Sequence, residues 1–133
     1  MILNPEEIAE AENQLIEGGL SPEILMDDAG LGIAKAVSQF FSNPGTLIVF
    51  VGNGHNGGDA LVAAKHLKKN GWITQLRFTT SPDQLKPLTT KKLQQFEREK
   101  SSPSVEISEN QHRPLILLDG LLGIGAIGEL RPG

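Results

Sequence analysis

The chain has 133 residues, 38% of them hydrophobic, no cysteine, and 12 Lys plus Arg against 16 Asp plus Glu, for a formal net charge of −4. That length suffices for one domain with a true core, the missing thiols exclude a disulfide framework, and the acidic balance gives no long-range attraction to nucleic acid or anionic lipid. No apolar run is long enough to span a bilayer, and the stretch from Met1 to Glu12 is acidic where a secretory leader would be basic and then apolar, so a cytoplasmic location is expected.

Asn4-Pro5-Glu6-Glu7 places a capping residue, a first-turn proline and an acid at the third helical position, which predicts a helix from there to Gly18-Gly19. Ser21-Pro22-Glu23 repeats the start signal. Met26, Ala29, Ile33, Val37 and Phe40 then recur at helical spacing, which predicts a second helix with one buried face, stopped by Asn43-Pro44-Gly45. Asp27 and Asp28 on this helix read as solvated surface charge.

Thr46 to Val51 is a run of β-branched and aromatic residues without polar alternation, the pattern of a strand covered on both faces in a parallel sheet. Gly52-Asn53-Gly54-His55-Asn56-Gly57-Gly58-Asp59 follows as a glycine-rich turn, and Ala60 to Leu67 as an amphipathic helix. Gly52, Gly54 and Gly57 fit the G-x-G-x-x-G spacing, in which glycine permits a tight turn, close ligand approach and close helix packing. The helix N-terminus would offer N–H groups and a partial positive charge to an anion. This is not the usual dinucleotide fingerprint, because the second strand, Ile73 to Phe78, runs into Thr79-Thr80 where a ribose-binding acid belongs. Asp59 suits a ribose hydroxyl, a cation or a plain helix cap better than a pyrophosphate.

Ser81-Pro82-Asp83 predicts a helix continuing to about Lys100, with Pro87 in its first turns. Lys86, Lys91, Lys92, Arg98 and Lys100 on it read as a solvated face interleaved with Glu97 and Glu99. Ser101 to Arg113 reads as a polar connection with a short strand at Val105 to Ile107. Leu115 to Leu118 is the next buried strand, with Asp119 at its carboxyl end, where ligands bind in open α/β sheets. Asp119 followed by Gly120 also has a purely conformational reading as a turn. The run Gly123-Ile124-Gly125-Ala126-Ile127-Gly128 would be a second backbone cradle, and two such loops facing one crevice suit a ligand with a pyrophosphate and two riboses.

At this point the motifs resemble a known family. GNGHNGGDALVAAKHL is similar to the G-x-G-N-N-G-G-D-G-L-V-A-A-R-H-L signature of the NAD(P)H-hydrate epimerases, the YjeF N-terminal domain family. Leu25-Met26-Asp27-Asp28-Ala29-Gly30 is similar to its L-M-E-N-A-G, and Leu118-Asp119-Gly120-Leu121-Leu122-Gly123-Ile124-Gly125 to its V-D-A-L-F-G-T-G. The resemblance implies an isomerase that interconverts R and S epimers of the hydrated dinucleotides NADHX and NADPHX. It implies substrate contacts at His55, Asn56, Gly57, Gly58 and Asp59, and again at Gly123, Ile124, Gly125, Ala126, Ile127, Gly128 and Glu129. It further implies a potassium ion held by Asn56 and Asp119, a homodimer, and a fused or separate NAD(P)HX dehydratase as working partner. In the family the L-M-E-N-A-G helix packs near the site and the dimer contact, which implies a structural role for Asp27 and Asp28.

The sequence departs from the pattern in places. His55 replaces the first Asn, Ala60 a usual Gly and Ile124 a usual Thr. The downstream D-x-P-S-G motif, whose Asp is the family's leading acid/base, does not occur, so the chain reads as roughly the first half to two thirds of the domain and its catalytic residue is unassigned. His55 reads either as a proton-transfer group or as a hydrogen-bonding substitute for Asn, and His66 as structural. The expected architecture is a Rossmann-like three-layer αβα sandwich with a mainly parallel sheet, helices on both faces and an exposed edge at the third strand. Beside the epimerase, two readings stay open: a non-catalytic nucleotide-binding or dimerisation module of the same family, and a nucleotide-binding fragment of a dehydrogenase.

Overall fold

In chain order the elements are α1 (Pro5–Glu17), α2 (Pro22–Phe40), β1 (Thr46–Val51), α3 (His55–Lys69), β2 (Ile73–Phe78), a 3-10 turn (Pro82–Gln84), α4 (Pro87–Arg98), β3 (Leu115–Gly120) and β4 (Ala126–Glu129). The computed structural model describes residues 5–17, 19, 21–102, 113–121 and 126–129. The short strand expected at Val105 to Ile107 lies outside the described residues.

Local chemistry sets the helix starts. Ser21 stays extended, its hydroxyl accepts the Ile24 N–H at 3.1 Å, and Pro22 takes the first helical position, where no N–H is needed. The single helix expected from Ser81 is instead two pieces. Ser81 caps only the 3-10 turn, and the chain is extended at Leu85 and Lys86 before α4 begins. The ring of Pro87 crowds a helical backbone at the preceding residue, so Lys86 sits at φ −62°, ψ 153° and Pro87 opens a new helix.

Strand order is β2-β1-β3-β4. β1 is parallel to both neighbours, with Val49 opposite Leu76 of β2 and Leu118 of β3. β4 runs antiparallel to β3, Ile127 opposite Leu118 and Ala126 opposite Asp119. Two expectations change here. The third strand is not an edge, because β4 covers it, leaving β2 and β4 outermost among the described residues. Ala126, Ile127, Gly128 and Glu129 are ladder strand instead of loop; the free N–H and C=O groups along β3 demand partners, and an antiparallel return needs only a short link.

Burial alternates along the strands and points one way. Leu47, Val49 and Val51 of β1 and Ile116 and Leu118 of β3 are fully buried against Leu61, Ala63, Ala64 and Leu67 of α3. Each buried Leu, Ile or Val contributes about 1.5 to 3 kcal/mol over an exposed one. α2 and α4 pack on the flanks of α3, contributing Ala34, Val37 and Phe96 to the same core. The described helices therefore stack on one sheet face and form, with the sheet, two of the three expected layers. On the other face Ile48, Phe50, Leu115 and Leu117 are half-buried, and Ile73 is 53% exposed.

Candidate functional site

The strand order reverses between β1 and β3, and the carboxyl ends of two such strands are where open α/β sheets place their ligands. The two corners touch there: a Cβ on Gly52 would lie 3.1 Å from Leu121 Cδ2. The turn after β1 is shorter than its glycines suggest. α3 starts at His55, with Gly54 as N-cap at φ −86°, ψ −174° and no side-chain cap. Gly57, Gly58 and Asp59, expected in the turn, are helical, so Asp59 is the fifth residue of α3 and does not cap it.

Packing explains those helical glycines. A Cβ on Gly57 would come 2.3 Å from the Gly52 carbonyl oxygen, and one on Gly58 would come 2.4 Å from Met26 Sδ. On β3, a Cβ at Gly120 would meet the Phe50 carbonyl oxygen at 2.5 Å. These positions let α3 lie close on the strand ends and on α2. Gly54 differs, with no heavy atom within 4 Å of its Cβ position, so open space stands over its backbone. The Gly57 N–H is turned back to the Gly54 carbonyl at 3.2 Å.

The first turns of α3 present two working faces. His55 and Asp59, four residues apart, share one face and line a cavity of about 340 Å³ with Ala9 and Asn13 of α1 and Leu25 and Met26 of α2. The backbone of Asn56 and the side chain of Ala60 lie toward β3: a Cβ at Gly120 would lie 3.1 Å from the Asn56 backbone carbonyl oxygen and 2.9 Å from Ala60 Cβ. Asp119 Oδ1 accepts the Leu121 N–H at 2.8 Å, the side-chain-to-backbone bond of an Asp turn, which orients the carboxylate at the strand end. An amide carbonyl and a carboxylate are donors of the oxygen type that a hard cation takes. Among the described residues no three His, Cys, Asp or Glu gather into a metal cluster. Gly123, Ile124 and Gly125 lie outside the described residues.

Several supporting residues were not legible as such. Lys92 was expected on a solvated face; it is 2% exposed. Its Nζ lies 2.8 Å from Glu23 Oε2, 2.7 Å from Asp27 Oδ1 and 3.3 Å from Gln95 Oε1, tying α4 to the start of α2. Burial alone would push the Lys92 ammonium down; the bonds to Asp27 and Glu23 outweigh it and hold the pKa above its ordinary value. Hydrogen bonds from Lys92 and then Lys91 lower Glu23 from 4.5 to about 2. Asp27, read as surface charge from the sequence, is thus a structural partner, as the resemblance implied. Thr89, 1% exposed, reaches the Gly54 carbonyl with its hydroxyl at 3.5 Å and so braces the turn from α4. The sequence signal was the spacing of Thr89, Lys92 and Phe96, which puts all three on one buried face of α4. The buried Thr80 hydroxyl, just past β2, has no hydrogen-bond partner.

Two further polar side chains, His66 and Arg77, sit apart. His66 is half-buried on α3, where desolvation, then Lys65 and Lys69, hold its imidazole below the usual value, in keeping with a structural role. Arg77 is exposed and donates to Gln75 Oε1 and the Leu76 carbonyl.

Comparison with known proteins follows the same outline. A family profile described as "YjeF-related protein N-terminus" matches residues 22–133. The bifunctional NAD(P)H-hydrate repair enzyme Nnr of Methanospirillum hungatei is 31% identical, the match covering 98% of this chain and 28% of that enzyme. The NAD(P)H-hydrate epimerase of Nitrosopumilus maritimus is 27% identical over 98% of this chain and 63% of its own length. The crystal structure of the yeast protein YNL200c aligns with a TM-score of 0.61 at 24% identity, covering 83% of this chain and 49% of that one. That likeness concerns the fold alone. The chain spans less than two thirds of the length of each of these proteins.

Proposed function

Because the chain belongs to the YjeF-related protein N-terminal family, we propose that it acts on hydrated reduced nicotinamide dinucleotides as an NAD(P)H-hydrate epimerase, interconverting the R and S forms of NADHX and NADPHX. The observation that carries this reading is the meeting of the two strand ends. Open backbone at Gly54 follows the end of β1, the oriented Asp119 carboxylate stands at the end of β3, and the two corners meet through Gly52, Gly120 and Leu121 at the reversal of strand order. The positive end of α3 suits a pyrophosphate, and Asp59 a ribose hydroxyl.

The substrate is a hemiaminal, with a hydroxyl on a ring carbon bonded to nitrogen. Its centre inverts when that oxygen is lost and re-added, or when the ring opens and closes, and neither route needs a redox step. The chemistry needs the ring held in place and a proton delivered to and taken from the oxygen. His55, Asn56, Gly57, Gly58 and Asp59 supply the holding, together with the run from Gly123 to Glu129. No acid/base pair is assigned among the described residues. Asn56 and Asp119 would hold a potassium ion, which when bound supplies positive charge beside the phosphates. An ion-holding Asp119 would be a poor base, so its part is to position. A second repair activity, fused or separate, would consume one epimer.

An NMR or chromatographic assay of NADHX epimer exchange in potassium buffer tests the reading. Acceleration over the uncatalysed rate, lost in Asp119→Ala and weakened when sodium replaces potassium at equal ionic strength, is the expected result. A folded sample that does not accelerate exchange sinks it. That outcome would favour a binding or dimerisation module, for which the half-buried apolar face of Ile48, Phe50, Leu115 and Leu117 speaks.

A further inference from the structure

Two polar side chains of α4 are buried, and the proposed chemistry uses neither: Thr89 is 1% exposed and Lys92 2%. They stand three residues apart on the same helix face. A buried hydroxyl or ammonium is costly unless it is hydrogen-bonded, so the partners of each show what α4 is held against. Thr89 Oγ1 donates to the Gly54 carbonyl at 3.5 Å. Lys92 Nζ binds the carboxylates of Glu23 and Asp27, and Lys91 Nζ joins Glu23 at 2.9 Å. α2 is in turn seated on α3, where Met26 lies over Gly58 and Val62 leaves no room for a Cβ at Gly30. The contacts close a circuit. It runs from the start of α3 to α2, from α2 through Lys92 to α4, and from α4 through Thr89 back to the residue that opens α3.

Gly54 is the place where such a contact has most effect. It is the N-cap of α3 and has no side chain with which to cap the helix, and glycine is the residue whose backbone is least restrained. A trans peptide is planar, with its C=O and N–H directed oppositely. Holding the Gly54 carbonyl therefore aims the N–H of His55, which belongs to the same peptide unit and is the first of α3. At a helix start such N–H groups project outward, where an anion meets them. The Gly57 N–H also reaches the Gly54 carbonyl, at 3.2 Å, but it moves with the turn. Thr89 ties the same oxygen to a separate element. The brace leaves the open side clear, since no heavy atom lies within 4 Å of a Cβ at Gly54.

We infer that Thr89 is a positioning residue for the anion-binding turn: its hydroxyl holds the Gly54 carbonyl, and the Lys92 latch onto Glu23 and Asp27 holds Thr89 in place, so that the opening N–H of α3 faces the phosphates of a bound dinucleotide. The inference rests on the reading of this turn as the pyrophosphate site. Thr89 touches no substrate and acts through the Gly54 peptide. Its contribution is to binding, and it appears in KM and not in kcat.

The test is calorimetric titration of inorganic pyrophosphate into the whole chain and its variants, with urea midpoints and the His55 amide resonance followed alongside. Thr89→Val keeps the shape and removes the hydroxyl; it should weaken pyrophosphate about tenfold and move the His55 amide, and Thr89→Ser should restore both. In the NADHX exchange assay Thr89→Val should raise KM and leave kcat near the native value. Lys92→Met, which fills the space without the charge, should weaken pyrophosphate in the same direction, and adding Thr89→Val to it should weaken binding little further, because both act along one path. The inference is overturned if Thr89→Val binds pyrophosphate as the native protein does, whatever its stability, or if Thr89→Ser is as weak as Thr89→Val. Native protein that binds no pyrophosphate sinks the reading of the turn and the inference with it, whereas native binding that Thr89→Val leaves untouched sinks the inference alone. A Thr89 effect on pyrophosphate in a protein that does not exchange NADHX would uphold the brace and sink the epimerase.

Discussion

At the carboxyl end of β1 the chain turns within three residues into a fifteen-residue helix, whereas at the carboxyl end of β3 it comes back as the antiparallel strand β4. The two corners lie against each other through Gly52, Gly120 and Leu121, yet they carry opposite electrostatic character. The first ends in the N–H groups of α3, and the second in the carboxylate of Asp119. A ligand spanning both would meet a positive partner at one corner and a negative one at the other. Glycine does different work in each place. At Gly57 and Gly120 it lets one backbone lie on another, and at Gly54 it leaves the backbone open.

The sharpest way to break this comparison is to add one carbon at each glycine. Gly57→Ala and Gly120→Ala each drive a methyl into a carbonyl oxygen that cannot move aside, and should each cost about 2 to 3 kcal/mol in urea denaturation. Equal tolerance at Gly57 and Gly54 would show that the close approach of α3 to β1 is not a requirement.

Next in size is the strut that holds α4, and with it the Thr89 brace on the first corner, against α2. Lys92→Ala removes a buried ammonium from carboxylates that keep part of their hydration, and should cost about 2 kcal/mol by the same measurement. The strut also gives the protein an acid limit. Glu23 is held near 2 in the folded state against an ordinary 4.5, so its contribution is fully present above pH 4.5 and is lost as the pH falls from 4.5 toward 2. Denaturation midpoints across that window should drop steeply in the native protein and less steeply in Lys92→Ala. Parallel curves would mean that Lys92 is not what holds Glu23 ionised.

The smallest effect discriminates best between the corners. Gly54→Ser places an N-cap hydroxyl where no atom obstructs it, and should raise stability by about a few tenths of a kcal/mol. The same side chain would stand over the open backbone, so pyrophosphate affinity should fall in a calorimetric titration. A stability gain with unchanged affinity would move the anion away from this turn.

Much of this was legible in the residues. The caps at Ser21-Pro22, the run from Thr46 to Val51 and the spans of β2 and β3 follow from short-range rules, and the motifs carrying the family lie within continuous segments; the one-sided, alternating burial of β1 and β3 does not match the two-faced cover expected for them. What was misjudged depended on distant neighbours. Lys92 was assigned to solvent because its local sequence is charged, but Glu23 and Asp27 arrive from 69 and 65 positions away and make its burial tolerable. The glycines after Gly54 were assigned to a loop because glycine is a poor helix former; contact with Gly52 and Met26 overrides that propensity.

By itself, then, the sequence determined where α1 and α2 begin, where β1, β2 and β3 run, and which family the motifs belong to. These are consequences of dihedral preference, capping and periodicity, all of which act over a few residues. Only the tertiary structure decided that Gly57 and Gly58 are helical, that residues after the third strand return antiparallel, that the described helices lie on one face, and that α1 and α2 wall a cavity at His55 and Asp59. Each of these turns on which backbone or charge is brought within contact distance from elsewhere in the chain, and close packing, not local propensity, sets the outcome there.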